Sequence, residues 1–348
     1  MGLSSIARGK GLRARPVQRR VGALLVALPA ALLLAAGSAR AATLSGSLAV
    51  EATDAVLLAV DCADDGSGAP ASMTLAVRDL APVAAPIVSA QVRKGFSAKN
   101  ASDAVDGDVG ASPSVTVNGG AGRYDVYVDK NATGAEAFEV TAQCWTGVGG
   151  TGATTGTTLF AAAGGAVPAA SAPVQLTLVL ALLGTGAALL RVAGRRRGGP
   201  PGALAAWTGG ALFVGALGAP AVRAHEQAGN LGTGASATDS YEVTCFDNGS
   251  GTPGSLEIAI LDSSPGAAPS VSAQVHRDLA LVNVSDDLVA DALSSPSVYV
   301  NAGPGTFFVL VDKSGAGVKF YELTYHCWTG HDGTGVHAGS ALVPRQNE

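Results

Sequence analysis

Alternation of apolar and polar positions is clearest in the last third of the chain. From Ser240 to Phe246, Tyr241, Val243 and Cys245 fall on one face and Glu242 and Thr244 on the other, the period-two signature of a half-buried strand. Leu256, Ile258 and Ile260 repeat that alternation, as do Val271, Ala273 and Val275, then Val298 and Val300. Thr306 to Val311 is a continuous apolar run. Lys319 to Cys327 sets Tyr321, Leu323, Tyr325 and Cys327 against Glu322, Thr324 and His326. Between these stretches stand turn signals such as Asp247-Asn-Gly-Ser-Gly251 and Gly303-Pro-Gly305, and only Asp286 to Leu293 reads as a helical turn. Short strands at this spacing predict a β-sandwich.

Two apolar runs of another kind occupy the middle of the chain. Residues 173–190 carry no charge and approach the ~20 residues that a membrane-spanning helix needs. Arg191, Arg195, Arg196 and Arg197 follow, and a second uncharged run, diluted by four glycines, covers 203–222. Excess arginine stays cytoplasmic, which places the flanking regions outside the cytoplasm. Residues 1–41 read as an export signal: a basic segment, the apolar run Val21 to Gly37, and the small-x-small site Ala39-Arg40-Ala41, with cleavage expected after Ala41.

An offset of 183 residues superimposes the two halves without a gap. Cys62 falls on Cys245 and Cys144 on Cys327; Val88-Ser-Ala-Gln-Val92 matches Val271-Ser-Ala-Gln-Val275, Val128-Asp-Lys130 matches Val311-Asp-Lys313, and Cys144-Trp-Thr-Gly147 matches Cys327-Trp-Thr-Gly330. One domain has been duplicated. The offset also carries Ala41 onto Ala224, a possible second cleavage point, so the second apolar run stands where the signal peptide stood. The expected architecture is all-β, two tandem jelly-roll or immunoglobulin-like β-sandwiches joined by a transmembrane helical hairpin, with an N-terminal signal helix. Its divisions are a signal peptide (1–41), the first sandwich (42–160), a linker (161–172), a transmembrane helix (173–190), a basic cytoplasmic loop (191–202), a transmembrane or signal-like helix (203–222) and the second sandwich (225–348).

Four cysteines in an exported chain are expected to be oxidised, and four allow three pairings. The repeat selects Cys62 with Cys144 and Cys245 with Cys327, all on the apolar parity of their strands. Trp145 and Trp328, next in sequence, are expected beside the bridge or at the rim.

Charge sharpens this picture. The first repeat, 42–170, holds 13 acidic and 6 basic residues, the second, 225–348, 14 and 4, while the other 12 basic residues flank the apolar runs. Acidic domains argue against nucleic acid, whose phosphates require clustered positive charge.

Two stretches resemble known families. Asp239-Ser-Tyr-Glu-Val243, a Gly-x-Leu-x-Ile strand, Gly303-Pro-Gly-Thr-Phe-Phe-Val-Leu-Val311 and Tyr321-Glu-Leu323 resemble bacterial pre-peptidase C-terminal domains. The resemblance implies a jelly-roll-like accessory module of secreted proteins, binding or targeting without catalysis of its own; the cysteine pair and the Cys-Trp-Thr-Gly ending are not part of that pattern. Val167-Pro168, the apolar run with Leu182-Leu-Gly-Thr-Gly186, and Arg195 to Arg197 resemble a sorting tail of the PEP-CTERM type, although the defining Pro-Glu-Pro is absent; a plain stop-transfer helix is the alternative.

Candidate chemistry is sparse. His326, His331 and His337 with Asp332 have metal-ligand residue types but no tight zinc spacing, and the first repeat has Gln143, Val148 and Thr154 at the three histidine positions. Asp247 and Asn248 offer oxygens to calcium, yet an Asx-Gly turn explains them without an ion. Asp79, Asp103 and Asp129 recur as Asp262, Asp286 and Asp312 but form no acid–base pair in sequence. The first repeat holds no histidine, so no nucleophile–base set recurs. No catalytic residue, metal or cofactor is assigned. The expected function is a non-enzymatic binding, adhesion or surface-structural role in the cell envelope, with both domains on the periplasmic or extracellular side, partnered by the membrane and an extracytoplasmic ligand or protein. Alternatives are a precursor cleaved into one anchored and one secreted domain, and a metal-dependent hydrolase.

Overall fold

In the computed structural model, which describes residues 41–162 and 225–348 apart from 81, 83–85, 106–107, 267 and 289–290, the alternating stretches become strands. The first copy comprises β1 (Ala42–Leu48), β2 (Val56–Ala63), β3 (Ser72–Asp79), β4 (Val88–Lys94), β5 (Ser97–Asp103), β6 (Val115–Val117), β7 (Gly122–Lys130), β8 (Glu136–Gly147) and β9 (Thr151–Ala161). The second comprises β10 (His225–Leu231), β11 (Asp239–Phe246), β12 (Ser255–Asp262), β13 (Val271–Arg277), β14 (Ala280–Asp286), β15 (Val298–Val300), β16 (Gly305–Lys313), β17 (Lys319–Trp328) and β18 (Gly339–Gln346).

Within each copy the pairing is antiparallel. In the second, β10-β17-β12-β15 form one sheet and β14-β13-β16-β11-β18 the other, the strand order of a jelly roll with an added ninth strand. The first copy has the same order, but β9 pairs with both β2 and β8, so its two layers run together into one nine-stranded sheet. In the second copy the equivalent contact shrinks to a single bridge, Trp328 with His337.

The expected architecture is corrected here. Among the described residues there is no helix, and none long and apolar enough to cross a membrane. The helical hairpin expected at 173–190 and 203–222, with its membrane assignment, and the signal helix fall outside the described residues; what the chain forms where it is described is all-β, one copy a near-closed sheet and the other a sandwich. Of the helical turn expected at Asp286 to Leu293, Asp286 instead ends β14, whose residues pair one for one with β13, and residues 289 and 290 lie outside the described residues.

Each copy has its own core. Leu58, Val60, Leu75, Val77, Phe138 and Val140 are buried in the first, Ile258, Ile260, Phe307, Val309, Tyr321 and Leu323 in the second. The disulfides Cys62–Cys144 and Cys245–Cys327 join the layers inside these cores. On each outer strand a glycine admits an aromatic ring: a Cβ at Gly46 would stand 2.5 Å from the Phe138 ring, and one at Gly229 2.3 Å from that of Tyr321. Both rings are fully buried and cannot yield. Gly229→Val is therefore expected to lower stability by about 1–3 kcal/mol, the usual cost of overpacking, read from the denaturant midpoint; an unchanged midpoint would show that Tyr321 has room to move.

The two copies dock through β5, β4 and β7 on one side and β14, β13 and β16 on the other, related by an approximate twofold axis. Asn100 donates from Nδ2 to the Lys313 carbonyl at 2.9 Å, and its equivalent Asn283 donates to the Lys130 carbonyl at 2.8 Å. The backbone amide of Asn283 reaches the Thr53 carbonyl, and that of Asn100 the Ser236 carbonyl. Leu57, Ala98 and Tyr127 pack there against Leu281 and Leu310. Lys130 and Lys313, both fully buried, turn the other way: each Nζ donates to carbonyls of its own copy, Ala49 and Gly134 in one and Gly232 and Gly317 in the other. The repeated Val-Asp-Lys thus sends its lysine inward to fasten loops and its aspartate toward the neighbouring copy.

Candidate functional site

Ionisable groups gather at several places among the described residues, and two of these bear on how the copies meet and what one of them exposes. The first lies on the approximate axis. Gln91 donates from Nε2 to Asn100 Oδ1 at 3.2 Å and to Asp129 Oδ1 at 3.4 Å, while Gln274 donates to Asn283 Oδ1 at 3.1 Å. Burial pushes the Asp129 carboxyl up to about 7 against the hydrogen bonds of Gln91 and Gln274. Burial, then the charge of Asp129, raises Asp312 well above the usual carboxylate range. Asp129 Oδ2, Asp312 Oδ2 and the Oε1 atoms of both glutamines are buried without hydrogen-bond partners. A proton retained on the pair supplies a donor for these oxygens beyond the glutamine amides. Beside it, Arg93 Nε donates to the Tyr127 hydroxyl at 3.0 Å, Tyr127 contacts His276 Nδ1 at 3.4 Å, and His276 Nε2 donates to the Asp278 carbonyl at 2.6 Å. This chain ties the copies together, and burial lowers the His276 pKa against the hydrogen bond to the Asp278 carbonyl.

The second place is the outer face of the sheet β10-β17-β12-β15. Tyr299, Glu257 and His326 are direct cross-strand neighbours on that face. Glu257 accepts from Trp328 Nε1 at 2.6 Å, meets His326 Nδ1 at 3.3 Å, and receives the Tyr299 hydroxyl at 3.3 Å. Burial works to raise the Glu257 carboxyl, but hydrogen bonds from His326, Ser297 and Trp328, with the His326 charge, hold it at about 2. Rings of His326 and His337 lie 5.0 Å apart, His225 and His337 5.5 Å, and His225 and His326 6.5 Å. Burial, then the neighbouring imidazoles, lowers the His337 pKa. His326 Nε2 and His337 Nε2 are buried without partners. The same positions in the first copy are Ala42, Thr74, Gln143 and Thr154, where Trp145 Nε1 donates to Thr74 at 2.9 Å.

Of the residues singled out from sequence, Cys62, Cys144, Cys245 and Cys327 are bridged as the repeat indicated. Ala41 is exposed just ahead of β1, and Ala224 lies outside the described residues. Asp247 Oδ1 is taken by the amides of Gly249 and Gly251, and Asn248 Oδ1 by that of Ser250, so both belong to a turn. Asp332 Oδ1 accepts from Asn301. His331 is exposed on the same turn, apart from His326 and His337, with which residue type groups it. His225 and Glu257 take its place; they are 112 and 80 residues from His337 and join it only through strand pairing. Trp145 and Trp328 stand on the outer face, since a residue following an inward cysteine points outward. Asn100 and Asn283, which begin glycosylation triplets, are buried in the docking interface.

No family model and no curated protein matches the chain. Among solved structures, vicilin from Solanum lycopersicum (tomato) aligns at a TM-score of 0.21 and 8% identity over 89% of this chain and 78% of that one. Vicilin from Capsicum annuum aligns at 0.17 and 10%, covering 81% and 77%. Superposition at that level assigns neither family nor activity.

Proposed function

We propose that this is an exported, non-enzymatic binding protein that works as one two-copy body, in which the first copy serves as scaffold and the outer face of the second meets the ligand. The observation that carries the reading is selective divergence. Residues at the centre of the docking contact, Gln91/Gln274, Asn100/Asn283, Asp129/Asp312 and Lys130/Lys313, are the same in both, while around them Leu57, Arg93, Ala98 and Tyr127 have become Ser240, His276, Leu281 and Leu310. Four further positions gather new chemistry in one copy alone: Glu257 and His326 on the solvent-facing side of the sheet, His337 bridged to Trp328, and His225 at the first position of the edge strand. A duplicated scaffold keeps the centre of what holds it together, and a cluster of histidines gained by one copy marks a place where the duplicate took up a new contact. Two intramolecular disulfides support export to an oxidising compartment of the cell envelope.

The second reading, cleavage after Ala41 and Ala224 into two products, is compatible with this one because the docking contacts would hold the products together. Two bands on a denaturing gel with one species in native gel filtration would establish it. The binding role is tested with a full-length variant carrying first-copy residues, His225→Ala, Glu257→Thr, His326→Gln and His337→Thr, which the same sheet already accepts in the first copy. On an array of glycans, peptides and small extracytoplasmic ligands, wild type is expected to retain a ligand that the variant loses. Equal profiles would end the assignment of binding to this face.

A further inference from the structure

We infer that His225, His326 and His337 form a site for a divalent transition cation of the zinc, nickel or copper class, with Glu257 as the positioning residue behind His326. The inference deepens the binding role proposed above and rests on it. Imidazole nitrogens suit these metals, whereas calcium and magnesium take oxygen.

Glu257 is not itself the ligand, because both its oxygens are engaged by Tyr299, Trp328 and His326. Its contact with His326 Nδ1 fixes the tautomer: the proton sits on Nδ1, and Nε2 presents a lone pair. A carboxylate behind the second nitrogen of a histidine is the arrangement that orients metal ligands and raises their basicity. His326 Nε2 and His337 Nε2 are the atoms left buried without a partner. Leaving two buried ring nitrogens unmet is unfavourable, and one cation between them meets both.

Ring spacing agrees. Zn–N bonds of about 2.0–2.1 Å put two imidazole centres on one tetrahedral ion about 5 Å apart. His326 and His337 stand at 5.0 Å, and His225 lies 5.5 Å from His337 but 6.5 Å from His326. As they stand, no three such groups among the described residues are gathered into a metal-holding set. His225 is the ligand that must swing inward. It is the first residue of β10 and half-buried, so its ring has solvent on one side to turn through. Three protein ligands leave the fourth position of a tetrahedral ion open to water or a ligand donor. The first copy, with Ala42, Gln143 and Thr154 at the equivalent positions, is an internal control without the chemistry.

The experiment uses the full chain with zinc alone and cobalt(II) alone. Wild type is expected to retain one equivalent of zinc after dialysis, to melt at a higher temperature with zinc, and to show the visible absorption of tetrahedral cobalt. His337→Ala and the four-residue variant are expected to lose the retained metal; His331→Ala is expected to keep it. Glu257→Gln should weaken affinity about 10- to 100-fold with stoichiometry unchanged, as loss of a carboxylate behind a metal-bound histidine does. Absence of retained zinc, retention unaffected by His337→Ala, or equal loss in His331→Ala would overturn the inference. If zinc is absent while an array ligand is still lost in the four-residue variant, the metal site falls and the binding role stands; if neither is seen, both fall.

Discussion

Cys245→Ser with Cys327→Ser is expected to cost the second copy about 4–5 kcal/mol, the chain-entropy value for a loop of this length and an upper estimate. Each bridge joins residues 82 apart, from the second strand of its copy to the eighth, so its loss frees most of a domain in the unfolded state. Pairing of β10 with β17 and of β11 with β18 spans a similar length, but only the covalent bridge persists in the unfolded chain. The cores are built of valine, leucine and isoleucine around a few aromatic rings, and aromatic residues are only 5% of the chain. The replacement hydroxyls would also be buried, adding to the loss. Denaturant unfolding of the full chain with and without reductant provides the measurement. Two separated transitions, the lower one shifted in the double variant, are expected; a midpoint indifferent to both reductant and substitution would contradict a stabilising role for the bridge.

Raising the pH through neutrality is expected to loosen the contact between the copies. A carboxyl whose folded pKa is raised contributes stability that is fully present below its unfolded value, about 3.9, and is lost as pH climbs through the folded value, about 7 for Asp129. Asp312, also raised well above the usual carboxylate range by burial and then by the Asp129 charge, adds to the loss. Gln91 and Gln274 are the polar groups facing the pair and bring no compensating charge. In a body of this size about 1 kcal/mol moves the melting temperature by roughly 2–4 °C, so a decline of several degrees is expected between about pH 4 and pH 8. Asp129→Asn with Asp312→Asn keeps shape and removes the titration. Calorimetry across that range should show the variant losing less than wild type, and parallel curves would dismiss the pair as the source.

Much of the strand pattern was legible because period-two alternation survives wherever one face of a strand is buried. Tyr321, Leu323, Tyr325 and Cys327 announced β17. β10 and β18 were silent: His-Glu-Gln-Ala-Gly-Asn-Leu carries almost no apolar signal, since an outer strand is held by backbone pairing and needs little burial. β14 was missed because its apolar residues serve two partners, Val282 and Val284 the domain's core and Leu281 the neighbouring copy. The disulfides followed from the duplication. The pairing of Asp129 with Asp312 did not, because within one copy an isolated aspartate at a strand end gives no sign that its own duplicate will face it. The outward Trp328 was recoverable from parity alone. The histidine cluster was half visible: His326 and His337 share a stretch of sequence, but His225 and Glu257 arrive from other strands, and nothing local distinguishes them from His331.

The near-twofold contact between the copies has an evolutionary corollary. Each half carries a face made to meet its own likeness, the arrangement of a homodimer, in which every substitution is written twice. Within one polypeptide that constraint is lifted: each half can change by itself, and a histidine cluster on one side alone is a change that no symmetric dimer could carry.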